Sequence, residues 1–180
     1  MRPDRSRAIP TLVLGLLLVA GCRPVAGDGR SATASLRNAA GQEVGTLALR
    51  DAPGASLTIE GDLSGLPAGT HGIHFHAVGQ CDAAGEFASA GAHFNPASRK
   101  HGLESAEGPH AGDLPNVVVG ADGRVVVRLT TSRVTLGRES ASLLDADGSA
   151  VVVHAAPDDQ RTDPSGNSGA RIACGVVTAR

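Results

Sequence analysis

From Ala32 onward the chain reads as short runs in which apolar or small side chains alternate with polar ones, and turn residues close each run. Ala32–Asn38 alternates in this way and ends in the turn signal Asn38-Ala39-Ala40-Gly41. A period of two puts successive side chains on opposite faces of a strand. The same pattern predicts strands over Glu43–Arg50, Ser56–Asp62, Thr70–Val78, Leu114–Val119, Arg124–Thr130, Ala150–Ala155 and Arg171–Thr178. Ala121-Asp122-Gly123 joins the Leu114–Val119 and Arg124–Thr130 strands as a hairpin. Helix-length periodicity is nearly absent, so the class is all-β. Eight short antiparallel strands predict a closed barrel or a sandwich, because closure removes exposed strand edges.

Two stretches depart from the alternation. Gly79 to Asp113 is long, Gly-rich and non-periodic, and Pro157–Ala170 is a second irregular loop. A structureless loop beyond roughly 15 residues is usually functional or disordered. The first loop carries three histidines, two aspartates and a cysteine. That content makes it a functional loop.

The first residues read as a targeting segment. Arg2, Arg5 and Arg7 precede an apolar run, Ile9 to Ala20, that is broken by Pro10 and too short to span a membrane comfortably. It ends in Val19-Ala20-Gly21-Cys22, which resembles a bacterial lipobox. On that reading residues 1–21 are a lipoprotein-type signal peptide. Cys22 is lipidated, and residues 22–31 form a flexible tether of Gly, Pro and charge. Residues 32–180 are then the folded domain. The alternative is an ordinary secretory signal cut near Ala20 or Ala26. Either reading exports the protein to the periplasm or cell envelope, and the first anchors it to a membrane through Cys22.

Composition adds bounds. The 180 residues suffice for one domain with a core. A net charge of −2 gives no case for a nucleic-acid partner. The three cysteines are an odd number; with Cys22 lipidated, Cys81 and Cys174 remain as a pair where disulfides persist.

The chemistry lies in the histidines. All seven fall between His71 and His154. His74 and His76 stand two apart on a predicted strand and so point to one face. His93, His101, His110 and Asp113 come from the long loop, and His154 from a distant strand. Four imidazoles, His74, His76, His93 and His154, suit copper. Three histidines and a carboxylate, His93, His101, His110 and Asp113, suit tetrahedral zinc. The count closes only if His93 serves both ions, one ring nitrogen each. His71 is read as structural, bonding to backbone inside the barrel.

These segments resemble the copper/zinc superoxide dismutase family. His71-Gly72-Ile73-His74-Phe75-His76 is similar to its copper-binding segment. Gly91-Ala92-His93-Phe94-Asn95-Pro96 and Ser98-Arg99-Lys100-His101-Gly102 resemble its zinc loop. His110-Ala111-Gly112-Asp113-Leu114-Pro115-Asn116, Val152-Val153-His154 and Gly166–Gly175 match further signatures, over about residues 32–180. The resemblance implies a flattened, eight-stranded Greek-key β-barrel with a long zinc and disulfide loop and a shorter electrostatic loop. It implies one copper and one zinc per subunit on the residues above. It implies Arg171 as the active-site arginine, Asp158 as the aspartate linking His74 to His101, and a Cys81–Cys174 disulfide. The implied reaction is dismutation of superoxide by a ping-pong Cu(II)/Cu(I) cycle, with His93 carrying a proton.

Two departures from the family pattern stand out. Asp82–Phe87 lengthens the stretch before His93, as in the exported bacterial branch, and Pro157–Ala170 contains no lysine. Arg99, Lys100 and Arg161 are the candidates for steering the anion in its place. The sequence leaves monomer and dimer both open. A copper-buffering protein on the same fold is the alternative function, although such a carrier needs neither Arg171 nor a complete second site.

Overall fold

The alternation becomes a curled antiparallel sheet with one apolar face. The computed structural model describes residues 29–180, so the signal segment and Cys22 lie outside the described residues. The strands are β1 (Ser31–Asn38), β2 (Glu43–Ala52), β3 (Ser56–Ser64), β4 (Gly69–His71), β5 (Ile73–His76), β6 (Val117–Val119), β7 (Arg124–Thr131), β8 (Ala150–His154) and β9 (Arg171–Ala179). Seven form one antiparallel sheet in the order β5-β8-β9-β1-β2-β3-β7, and β4 pairs with β6. A turn from Gly120 to Arg124 leads from β6 into β7. The helical content of the described residues is a single three-residue turn, Ala88–Ala90. Among the described residues no helix is long and apolar enough to cross a membrane.

The inward positions are the ones alternation selected. Ala32, Ala34 and Leu36 of β1 meet Leu47 and Leu49 of β2, Leu57 and Ile59 of β3, and Ile73 and Phe75 of β5 in one buried core. The segment between β7 and β8 contributes Val134, Leu136 and Leu143 to that core.

Where eight strands were expected, nine form among the described residues. The predicted strand Thr70–Val78 breaks at Gly72 into β4 and β5, which pair with different partners, β6 and β8. At the break the Gly72 N–H donates to Ala156 O at 2.9 Å, and Gly72 O accepts from the His154 N–H at 2.8 Å. A Cβ on Gly72 would lie 3.1 Å from the Ser168 Cβ and 3.2 Å from His74 Cε1, so the crossing tolerates little more than glycine. The sheet therefore changes partners at the point where the clustered histidines begin.

β8 is buried along its whole length. Val151 and Val153 face the core, while Ala150 and Val152 face a smaller cluster with Phe87, Ala90 and Cys174. That second cluster is the underside of the long loop, which lies over the outer face of the sheet. The Cys81–Cys174 disulfide ties the same loop to β9.

β2 and β3 approach closely at Gly61, where a Cβ would lie 2.3 Å from Thr46 O. Glycine at such a strand position marks close backbone approach. Gly61→Ala is expected to destabilise the protein by about 2–3 kcal/mol, as overpacking against a rigid backbone does. Urea denaturation measures it; an unchanged midpoint would show that the strands can separate at no cost.

Candidate metal centre

β5 supplies two candidate ligands, His74 and His76, and draws the loop in beside them. The Phe75 N–H donates to Gly112 O, and Phe75 O accepts from the Phe94 N–H at 2.8 Å. Isolated bridges then pair His74 with Asp113 and His76 with His93. On the other side of β5, β8 ends in His154, whose cross-strand neighbour on β9 is Arg171. Residues far apart in sequence are thus gathered by strand register.

Two ligand sets result. His74, His76, His93 and His154 form one, and His93, His101, His110 and Asp113 the other; within each set all ligand atoms lie within 4.8 Å of one another. All seven residues are buried. His93 belongs to both sets, as the ligand count required.

The spacing within each set is that of atoms around an ion. At metal–ligand distances of about 2.0–2.1 Å, tetrahedral ligand atoms sit roughly 3.3–3.4 Å apart. Asp113 Oδ1 lies 2.9 Å from His93 Nδ1, 3.1 Å from His101 Nδ1 and 3.3 Å from His110 Nδ1. His110 Nδ1 lies 3.5 Å from His93 Nδ1. In the other set His76 Nε2 lies 3.4 Å from His154 Nε2. The buried nitrogens His74 Nδ1 and His93 Nε2 have no hydrogen-bond partner. Buried polar atoms are rarely left so. A donor set of imidazoles and one carboxylate with orphaned ring nitrogens fits two divalent cations.

The remaining ring nitrogens are anchored. His76 Nδ1–H donates to Gly91 O at 2.9 Å, and His154 Nδ1–H to Gly169 O at 3.3 Å. His74 Nε2–H donates to Asp158 Oδ2 at 2.7 Å, and His101 Nε2–H to Asp158 Oδ1 at 3.0 Å. One carboxylate therefore orients one ring in each set, as such outer partners do. Asp158 is clamped in turn: Asn116 Nδ2–H donates to its carbonyl, and its N–H donates to Asn116 Oδ1. His71 takes the structural place foreseen for it, with Nδ1 2.8 Å from His154 O and Nε2 2.9 Å from Pro67 O.

Several supports carried no signal in the sequence reading. Arg133 donates to Asp113 O at 2.6 Å from the segment after β7. The N–H groups of Gly102 and His110 donate to Asp113 Oδ2, each at 2.9 Å. Asp163 accepts from the His101 N–H at 2.8 Å. Arg171 donates to Phe87 O and Gly91 O, both at 2.6 Å, so the loop's backbone fixes the guanidinium. The steering candidates are all engaged. Arg161 Nε–H donates to Glu104 at 2.7 Å, Lys100 Nζ lies 3.5 Å from Asp163, and Arg99 donates to Gly108 O at 3.2 Å.

Electrostatics without metal divides the histidines. Burial pushes His76 well below its ordinary value. Burial likewise lowers His93 to about 4, against the pull of Asp113. Burial and neighbouring His74 lower His154 to about 3. For His101 burial also lowers, but the Asp113 and Asp158 carboxylates outweigh it and raise the ring to about 9. Burial would raise Asp113, yet hydrogen bonds from His101, His110 and His93 hold it well below the carboxylate range.

The sign of the pH dependence follows. The three depressed imidazoles favour the fold above the unfolded value of about 6.5 and oppose it progressively below. His101 is raised, so its contribution is present below about 6.5 and lost as pH rises toward 9. The metal-free protein is expected to be most stable near neutrality, falling more steeply on the acid side. Urea denaturation in chelator across pH 4–9 tests it; stability still rising through pH 9 would contradict the assignment for His101.

The family model described as copper/zinc superoxide dismutase matches residues 43–177. A Caulobacter vibrioides protein named superoxide dismutase [Cu-Zn] is 44% identical over 153 residues, 82% of this chain and 85% of that protein. An Aquifex aeolicus protein named superoxide dismutase [Cu-Zn] 1 is 42% identical over 146 residues, 80% of this chain and 85% of that one. The crystal structure of a SOD-like protein from Bacillus subtilis superposes with a TM-score of 0.77 at 40% identity, covering 80% of this chain and 96% of that chain. With its two ligand sets joined through one histidine, the chain belongs to the copper/zinc superoxide dismutase family.

Proposed function

We propose that the protein dismutates superoxide to oxygen and hydrogen peroxide. In this reading copper sits on His74, His76, His93 and His154, and zinc on His93, His101, His110 and Asp113. The observation that carries it is the Arg171 guanidinium, held by two loop carbonyls opposite His154, beside a four-imidazole set that shares His93 with a complete second set. Relatives named for the activity support it.

Copper, when bound, supplies the Cu(II)/Cu(I) couple that releases one superoxide as oxygen and lets the next leave as hydrogen peroxide, in ping-pong order. The chain's own residues do the rest. Arg171 spends two N–H groups on Phe87 O and Gly91 O, and its remaining donors and charge receive the anion. His93 carries a proton on Nε2 to the product, and its Nδ1 end stays fixed among Asp113 and His110. Asp158 keeps the His74 and His101 rings in one tautomer. The second peroxide proton comes from solvent. A copper store would need neither Arg171 nor the second set.

The same proposal places the protein outside the cytoplasm, anchored through Cys22, on the basic, apolar and lipobox-like features of residues 1–22. Mass spectrometry finding an unmodified peptide that begins after Cys22 would refute the anchor. Dismutation by the copper- and zinc-loaded protein is the test of activity. Arg171→Ala should lower kcat/KM roughly 10- to 100-fold, within the range over which charge lining a cleft changes association rates. The copper-free protein should be inactive. Stoichiometric copper binding with dismutation no faster than free copper would leave a store on this fold.

A further inference from the structure

The four residues of the His101 set meet solvent unequally. The side chains of His101 and Asp113 are fully buried, whereas His93 and His110 keep 4% and 7% of theirs exposed. Both exposed rings open onto one cleft of about 390 Å³, which Arg99, Lys100 and Asp163 also line. The second ring nitrogens point three ways. That of His93 serves the other set, that of His101 meets Asp158, and His110 Nε2 faces Asp163 Oδ1 across 3.8 Å.

Asp163 is the carboxylate that belongs to both the site and the solvent. Its Oδ1 accepts from the His101 N–H at 2.8 Å, so its position is fixed against the backbone of a ligand. Its side chain is nonetheless 41% exposed, and Oδ2 lies 3.5 Å from Nζ of the exposed Lys100. A hydrated divalent cation arriving from solvent meets this oxygen before any buried ligand, and carboxylate oxygen is an accepted zinc ligand.

We propose that this cleft is the route by which zinc reaches and leaves its site, and that Asp163 receives the ion at the mouth before His110 and Asp113 take it. Lys100 is the opposing charge that slows a cation's approach. The inference rests on reading the His101 set as the zinc site, and it concerns the rate of exchange, which dismutation does not report.

Stopped-flow zinc uptake by the metal-free protein, and zinc release from the loaded protein to a chromophoric chelator, test the route. Asp163→Asn keeps an oxygen for the His101 N–H, removes the charge and puts an amide NH2 in place of Oδ2. It should slow uptake and release alike, by roughly tenfold, since local charge changes encounter rates on that scale. The equilibrium affinity should change little. Lys100→Ala should accelerate uptake. Faster release with unchanged uptake in Asp163→Asn would make Asp163 a mere support for His101 and overturn the route, as would unchanged rates in both variants. Zinc binding by none of the proteins would overturn the reading of the site itself, and the route with it.

Discussion

Alanine in place of His93 is expected to cost both metals at once and to lower dismutation about a thousandfold or more. Loss of an outer-shell partner at a metal site costs roughly 10- to 100-fold, and in the proposed arrangement His93 is a direct ligand twice over. Its Nδ1 lies among Asp113 Oδ1 and His110 Nδ1, and its buried Nε2 has no other partner. Alanine leaves three imidazoles in one set and two imidazoles with a carboxylate in the other. No neighbour can replace it, because the second nitrogens of His74, His76, His101 and His154 are already bonded to Asp158, Gly91 or Gly169. Metal content by elemental analysis, beside activity, checks the result. Full zinc occupancy in the variant would mean that His101, His110 and Asp113 suffice and that the two sites are independent.

Removing the disulfide should have the largest effect on stability. Cys81 and Cys174 are 93 residues apart. In the chain-entropy picture a loop of that size is worth about 4–5 kcal/mol, and measured values usually fall lower, at about 2–5 kcal/mol. A double Cys81→Ala/Cys174→Ala variant, compared with the oxidised protein in urea, measures this. The same link also reaches the chemistry. The loop it fastens carries the Phe87 and Gly91 carbonyls that hold Arg171, and Gly91 O holds His76 as well. Activity per folded, copper-loaded molecule should therefore fall together with stability. An unchanged kcat/KM would mean that packing of Phe87 and Ala90 against Val152 fixes the loop unaided.

What the sequence made legible follows the physics of each signal. His74 and His76 could be paired from spacing alone, because a strand has a fixed period and both side chains share a face. The inward set of β1, β2 and β3 was legible for the same reason. The loop-borne ligands had no periodicity to place them. They were found from ligand chemistry and order along the chain, which divided them by donor type, and the family resemblance implied the same division. The break at Gly72 was not predicted, since the alternation of Ile73–Ala77 carried the strand across it and only the different partners, β6 and β8, divide the run. The supports of the site were the least visible. Gly91 O and Phe87 O are backbone atoms, which any residue type provides. Arg133 and Asp163 are charged loop residues whose sequence neighbours say nothing of Asp113 or His101.

Asp158 and His93 each touch both ligand sets. Neither affinity is then a private property of its own site. By linkage, the factor by which a filled zinc site raises the affinity for copper must equal the factor by which copper raises the affinity for zinc. A titration with one metal reports a constant only for a stated occupancy of the other. Substitutions that act on zinc alone will appear as changes in copper loading, and the order in which the cell supplies the ions decides which half of that shared free energy is seen first.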